Sequence, residues 1–228
     1  PPVVADGSLY AATEDAVVAF DAATGKTEWT ASVPGANRAR VAVAAGRVFV
    51  SSYARAAGGG LVARDADSGA ELWTVPDTDV HLLPPTATDD AVFFHDRGAL
   101  YARDPSGTEL WRADEFGGID VSRTPLAVGG GRVVAAGERD REREVVTFDR
   151  DTGERLWRVR GGTHEIPPVV AGDTVYVPRD DGVRALDAAT GDERWTHGDD
   201  FARSLLVVEN RAYVATATGT LYALEGSA

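Results

Sequence analysis

The sequence predicts an all-β chain, a β-propeller whose blades are short antiparallel strands. Three observations predict it. All five tryptophans, Trp29, Trp73, Trp111, Trp157 and Trp195, stand four residues after a glycine. A second pattern, first seen as PPVVADGSLYAA, returns upstream of each tryptophan and once more as LLVVENRAYVAT, six copies in all. No stretch has the apolar period of about 3.6 residues that marks a helix. A unit of roughly 40 residues with period-2 alternation and Gly, Asp and Asn turns reads as one four-stranded blade.

In the first copy, strand A is read at Val3–Ala5, B at Ser8–Ala12, C at Val17–Asp21 and D at Thr27–Thr30. Blades are placed at about 1–31, 38–75, 81–113, 122–159, 164–197 and 203–225, within a single domain spanning 1–228. Asp21, Asp65, Asp149 and Asp187 end strand C, where a carboxylate accepts hydrogen bonds from turn N–H groups. The glycine that follows supplies left-handed backbone. Ala19, Ala63, Ala102, Ala185 and Ala223 keep strand C thin where a neighbouring blade packs. Each tryptophan then fills the seam between blades, burying on the order of 200 Å². The five are structural docking residues.

The string A-x-D-x-x-T-G-x-x-x-W resembles the tryptophan-docking motif of pyrroloquinoline-quinone-like (PQQ-like) repeats. Those occur in quinoprotein dehydrogenases and in non-catalytic relatives of the BamB type. The resemblance covers nearly the whole chain and implies the propeller fold. For the enzyme branch it implies the quinone, Ca²⁺, a catalytic Asp and often a vicinal disulfide. This chain has no Cys and only two Asn, Asn37 and Asn210. It also lacks an Asp-x-Asp-x-Asp-Gly calcium loop. No catalytic residue, no metal ligand and no cofactor are therefore expected. PQQ with calcium is the rival expectation.

Net charge is −13, with a single lysine, Lys26. Such a surface repels phosphate backbones and anionic lipid, so nucleic acid is not an expected partner. Acidic excess, much Ala and scarce Lys and amide residues resemble a salt-loving archaeal protein. At molar salt the Debye length is only about 3 Å, and self-repulsion is weak. No run of 18 apolar residues is present. An exported, cell-surface or extracytoplasmic place is expected. The sixth copy ends at strand C, Leu221–Leu224, so its blade is expected to lack strand D. The natural protein is expected to extend N-terminal to Pro1.

Candidate sites fall in loops. Asp89–Asp90, Asp180–Asp181 and Asp199–Asp200 read as solvated turn carboxylates, and Gly58–Gly60 and Gly129–Gly131 as turns. The run Glu138–Glu144 alternates in sign and reads as a solvated hairpin tip. Two B–C hairpins, with Tyr53 and Arg55 and with Arg139 through Arg143, are longer than the rest and share one face with the D–A connections. Such a face is where repeat proteins bind partners. Arg38, His81, Arg123, His164 and Arg203 precede successive strands A, and a closed propeller would gather them at the channel mouth. They are the candidate ligand-binding residues, and a protein or a small anionic ligand is the expected partner. The expected function is binding or scaffolding.

Overall fold

The computed structural model describes residues 2–13, 15–33, 39–52, 60–76, 84–96, 99–114, 125–139, 141–162, 166–198, 200–209 and 211–225. All regular elements among them are strands. They fall into two compact units, Pro1–Gly117 and Gly118–Ala228.

The first unit holds three antiparallel sheets, each a meander in chain order. The first sheet is β1 (Val3–Ala5), β2 (Ser8–Ala12), β3 (Ala16–Asp21) and β4 (Thr27–Ser32). The second is β5 (Arg40–Ala44), β6 (Arg47–Ser52), β7 (Gly60–Asp65) and β8 (Glu71–Pro76). The third is β9 (Thr86–Ala87), β10 (Val92–Asp96), β11 (Ala99–Arg103) and β12 (Glu109–Ala113). In the second unit come β13 (Ala127–Gly129), β14 (Arg132–Arg139), β15 (Glu142–Asp149) and β16 (Arg155–Arg160). These are followed by β17 (Val169–Ala171), β18 (Thr174–Arg179), β19 (Gly182–Asp187) and β20 (Glu193–His197). The last sheet has three strands among the described residues, β21 (Ala202–Val208), β22 (Arg211–Thr216) and β23 (Leu221–Glu225).

The first copy's strands match the reading from sequence, except that β3 starts one residue earlier and β4 runs two residues further. The turn chemistry also matches. Asp21, Asp65, Asp149 and Asp187 each accept hydrogen bonds from backbone N–H groups two or three residues on. Asp104 likewise accepts from the N–H groups of Ser106 and Thr108, two and four residues on. The sequence reading passed over Asp104 because its turn is one residue shorter.

Within each unit neighbouring sheets pack face to face, and tryptophans make the seams. Trp29 sits with Tyr10, Val17 and Ala19 against Val41, Val48, Val50 and Ala66 of the next sheet. Trp157 packs in the same way against Val175, Val177 and Ala188. Indole N–H groups donate to the next sheet's turn: Trp29 to the Ala66 carbonyl at 2.8 Å, Trp73 to Pro105 at 2.9 Å and Trp157 to Ala188 at 2.9 Å. A Cβ added at Gly69 would meet Trp29 at 2.7 Å, and at Gly107 and Gly191 it would meet Trp73 and Trp157 at 2.8 Å. These three glycines are thus needed twice, for a positive φ and for the indole's approach. Trp111 is buried, and Trp195 packs, half-buried, on the last sheet beside Ala202, Ala212 and Val214.

Directly across from each tryptophan stands a small residue: Ala19, Ala63, Ala102, Thr147 and Ala185, all fully buried. Thr147 is the departure in the fourth copy. Ala223 pairs with Tyr213 instead and is exposed. Next to every tryptophan the register slips by one residue. The extra residues are Glu28, Leu72, Leu110, Leu156 and Arg194, and each is turned to solvent. A bulge of this kind sharpens strand twist and re-aims the side chain beside it. It also explains why three leucines on strand D are exposed.

Candidate functional site

Of the candidate ligand-binding residues, Arg38, His81, Arg123 and His164 lie outside the described residues, as do Tyr53 and Arg55. Arg203 is described and does not precede its strand. It lies inside β21 at a register shift between Ala202 and Ser204. The bulge turns its guanidinium outward, 5.4 Å from the Phe201 ring centre. The strand starts early because Ala202 is fully buried and pairs with Thr216.

The structure does assemble a cleft on the hairpin face of the second unit. It has a volume of about 760 Å³ and is walled by the β14–β15 hairpin, the β18–β19 hairpin and the connection after β16. Glu138, Arg141, Glu142 and Arg143 come from the first wall, Arg179, Asp180 and Asp181 from the second, and Arg160 from the floor. Two strands of eight residues each make the first hairpin tall enough to stand beside its neighbour. Arg143 bridges the two hairpins by pairing with Asp180. Arg160 pairs with Glu142 at 3.1 Å, and Arg179 grips Asp181 through two hydrogen bonds at 2.7 and 2.8 Å. Below the cleft, Arg184 donates to the Arg160 carbonyl at 2.8 Å. Gly162 lets the floor pass close to Val145 and Val177, where a Cβ would approach their methyls at 3.2 and 3.3 Å.

The run Glu138–Glu144 is only partly the solvated tip that alternation suggested. Glu144 is buried and lies 3.6 Å from Arg158, and Arg143 reaches the neighbouring sheet. Asp180 and Asp181 are turn residues, as expected, yet both enter ion pairs that shape the cleft. The sequence reading passed over Arg160 and Arg179. Their signal was available, since Arg160 precedes a Gly-Gly pair and Arg179 precedes the acidic pair.

Charges in this cleft are balanced and exposed. Ion pairs of that kind contribute only about 0–1 kcal/mol each. They can therefore exchange partners at small cost, which suits recognition of a charged surface more than chemistry. Among the described residues no three of His, Cys, Asp and Glu gather to hold a metal ion. Also among the described residues, no helix is long and apolar enough to cross a membrane.

The family model described as outer membrane protein assembly factor BamB matches residues 1–113 and again 96–228. The chain belongs to this PQQ-like repeat family. BamB of Burkholderia pseudomallei (strain K96243) is 31% identical over 205 residues, 86% of this chain and 43% of that protein. Polyvinylalcohol dehydrogenase of Sphingopyxis sp. (strain 113P3) is 30% identical over 222 residues, 85% of this chain and 32% of that one. The chain thus spans less than half the length of either relative. The crystal structure of BamB from Moraxella catarrhalis matches at TM-score 0.55 and 20% identity, covering 96% of this chain and 82% of that one. That likeness supports the propeller fold.

Proposed function

We propose that this chain is a non-catalytic PQQ-like repeat propeller that binds a protein partner or a small anionic ligand through its hairpin face. The observation that carries this reading is the cleft joined by Arg143 and Asp180, whose exposed, exchangeable charges offer recognition. Its six sheets, five of four strands and the last of three within the described residues, are read as six blades of one domain. Relatives named as outer membrane assembly factors support an extracytoplasmic place. The acidic composition supports adaptation to salt. Arg38, His81, Arg123 and His164 remain the proposed anion-binding residues at the channel mouth, whereas Arg203 lies within β21.

The test uses charge reversal. R143E with R179E leaves the seams untouched, so thermal unfolding should be unchanged. Partners captured from native extract by the unaltered chain should be lost from the variant. Equal capture by both would remove the cleft from the reading. The second reading, a divergent PQQ-dependent oxidoreductase, is favoured by the dehydrogenase relative. It predicts saturable thermal stabilisation by PQQ with Ca²⁺, about 2.7 kcal/mol at 100 times the dissociation constant. The binding reading expects none.

A further inference from the structure

The arginines of the hairpin cleft are engaged to different degrees. Arg179 is gripped at both ends of its fork, since Nε and a terminal N–H donate to the two carboxylate oxygens of Asp181. Arg160 pairs with Glu142. Among the described residues Arg143 makes one side-chain hydrogen bond, to Asp180. A guanidinium carries five N–H donors, so four remain for a ligand. Arg141 lines the same wall and pairs with none of the described residues. Its backbone has φ +65°, a left-handed angle that hairpin loops ordinarily give to Gly, Asn or Asp. Strain of this kind collects at binding sites.

Asp180 is loosely held. It sits in the two-residue loop between Arg179 and Gly182, which pair across the β18–β19 ladder. Its carboxylate is 59% exposed, and among the described residues its one partner is Arg143. An exposed pair of this kind is easily exchanged. The backbone under Arg143 is fixed by contrast, because the Gly161 N–H donates to its carbonyl at 2.8 Å. The guanidinium can thus change partner while its strand stays in place. Further positive charge lies beneath. The Arg184 side chain is only 14% exposed, and its partner Glu193 stands at 3.9 Å. Burial, and then the neighbouring Arg179 charge, push the Arg184 guanidinium down from its ordinary range. An anion seated above would relieve that crowding.

We propose that Asp180 is a resident stand-in for the phosphate of a small phosphate monoester, which displaces it and binds to Arg141 and Arg143. This rests on the reading of the cleft as a binding site and names its ligand. A carboxylate offers two acceptor oxygens, and Asp180 engages one Arg143 donor. A phosphate offers three oxygens and nearly twice the charge, so one group can serve both arginines. The head group takes up a small part of the cleft's volume of about 760 Å³, which leaves room for the body of an ester. Once released, Asp180 stands on its loop in water, and the lining keeps four arginines against Glu138, Glu142 and Asp181.

The full chain is titrated in dilute buffer near neutral pH with glucose 6-phosphate, inorganic phosphate and succinate, followed by amide and carboxyl-carbon NMR. Glucose 6-phosphate should shift the Arg141 and Arg143 amides saturably. It should also move the Asp180 carboxyl signal and leave that of Asp173, which Arg194 holds elsewhere on the sheet. D180N should bind it about fivefold more tightly, the factor for removing a competing pair of about 1 kcal/mol. E142Q makes the same change in charge but leaves Arg143 held, so affinity should change by less than about twofold. R141Q should weaken binding about tenfold, the factor for one charge-assisted hydrogen bond, with thermal unfolding unchanged because Arg141 is exposed. An Asp180 carboxyl that stays still, or D180N no tighter than E142Q, would overturn the displacement. Equal binding of succinate would rule out the phosphate, and equal binding of inorganic phosphate would rule out the ester. If glucose 6-phosphate fails to bind while R143E with R179E still loses its captured partners, the phosphate is wrong and the cleft remains a binding site.

Discussion

The indole of Trp29 lies so near Gly69 that an added Cβ would stand 2.7 Å from the ring. Gly25 holds nearly the same backbone angle, and none of the described residues lies within 4 Å of a Cβ built on it. The pair separates backbone strain from packing. G25A should cost about 1–2 kcal/mol, the strain of a left-handed alanine. G69A should cost about 1–3 kcal/mol more, because the ring must move. Urea unfolding of the two variants measures the difference. Equal losses would mean that the seam is looser than it looks.

W157F keeps an aromatic ring in the seam but removes the donor to Ala188, a fully buried residue. The carbonyl is left without its partner, so the loss should be about 1–3 kcal/mol. W73F should cost less, since Trp73 and Pro105 are only half-buried. The ranking, read from denaturant midpoints, checks the hydrogen bond's share.

Acid should unfold the chain late. Hydrogen bonds from Arg194, then from the Thr190 and Ala189 N–H groups, hold the Asp187 carboxyl down at about 2. Asp21, Asp65, Asp104 and Asp149 are also lowered, each first by a neighbouring hydroxyl. A lowered folded value stabilises the fold above the ordinary carboxylate value of 3.8. That contribution is lost as pH falls from there through about 2. R194Q should raise the Asp187 midpoint, followed by carboxyl-carbon NMR, and move acid unfolding to higher pH.

His95 acts over a higher window. Burial pushes its imidazole down to about 3 from the ordinary 6.5. The unfolded chain therefore takes up the proton first. Stability is full above 6.5 and declines as pH falls toward 3. H95L should flatten the dependence of unfolding free energy on pH across that range, measured by urea titrations at several pH values. An unchanged slope would remove His95 from the account.

Thermal midpoints should rise from dilute to molar salt. Net charge of −13 repels itself, and salt screens that repulsion more broadly than it weakens single exposed pairs. A midpoint that is flat or falling in scanning calorimetry would contradict it.

Most of the fold was legible because one local rule recurs. Asp-x-x-Thr-Gly fixes a turn by its own hydrogen bonds, and a tryptophan four residues later must find a seam. Strands of the first copy were placed to within two residues on that basis. The cleft was less legible. Its hairpin residues were visible as a charged run, but Arg160 and Arg179 come from other elements, and no local pattern says that Arg143 meets Asp180, 37 residues on. Glu144 was misjudged for a related reason. Sign alternation marks exposure only where both faces of a hairpin are wet, and here β15 is buried on both faces from Glu144 to Phe148.

The slip in register beside each tryptophan divides the repeat into a part whose length is free and a part whose length is fixed. Five residues separate Arg103 from Glu109 in the third sheet, where six separate Phe20 from Thr27 in the first, yet the slip falls at the same place. The turn has absorbed the deletion. One residue inserted between Thr27 and Trp29 would instead carry the indole to the opposite side of its strand and empty the seam. Drift in the spacing of this lineage should therefore collect between the turn aspartate and the glycine, while the stretch from Thr27 to Trp29 and its counterparts keeps its count.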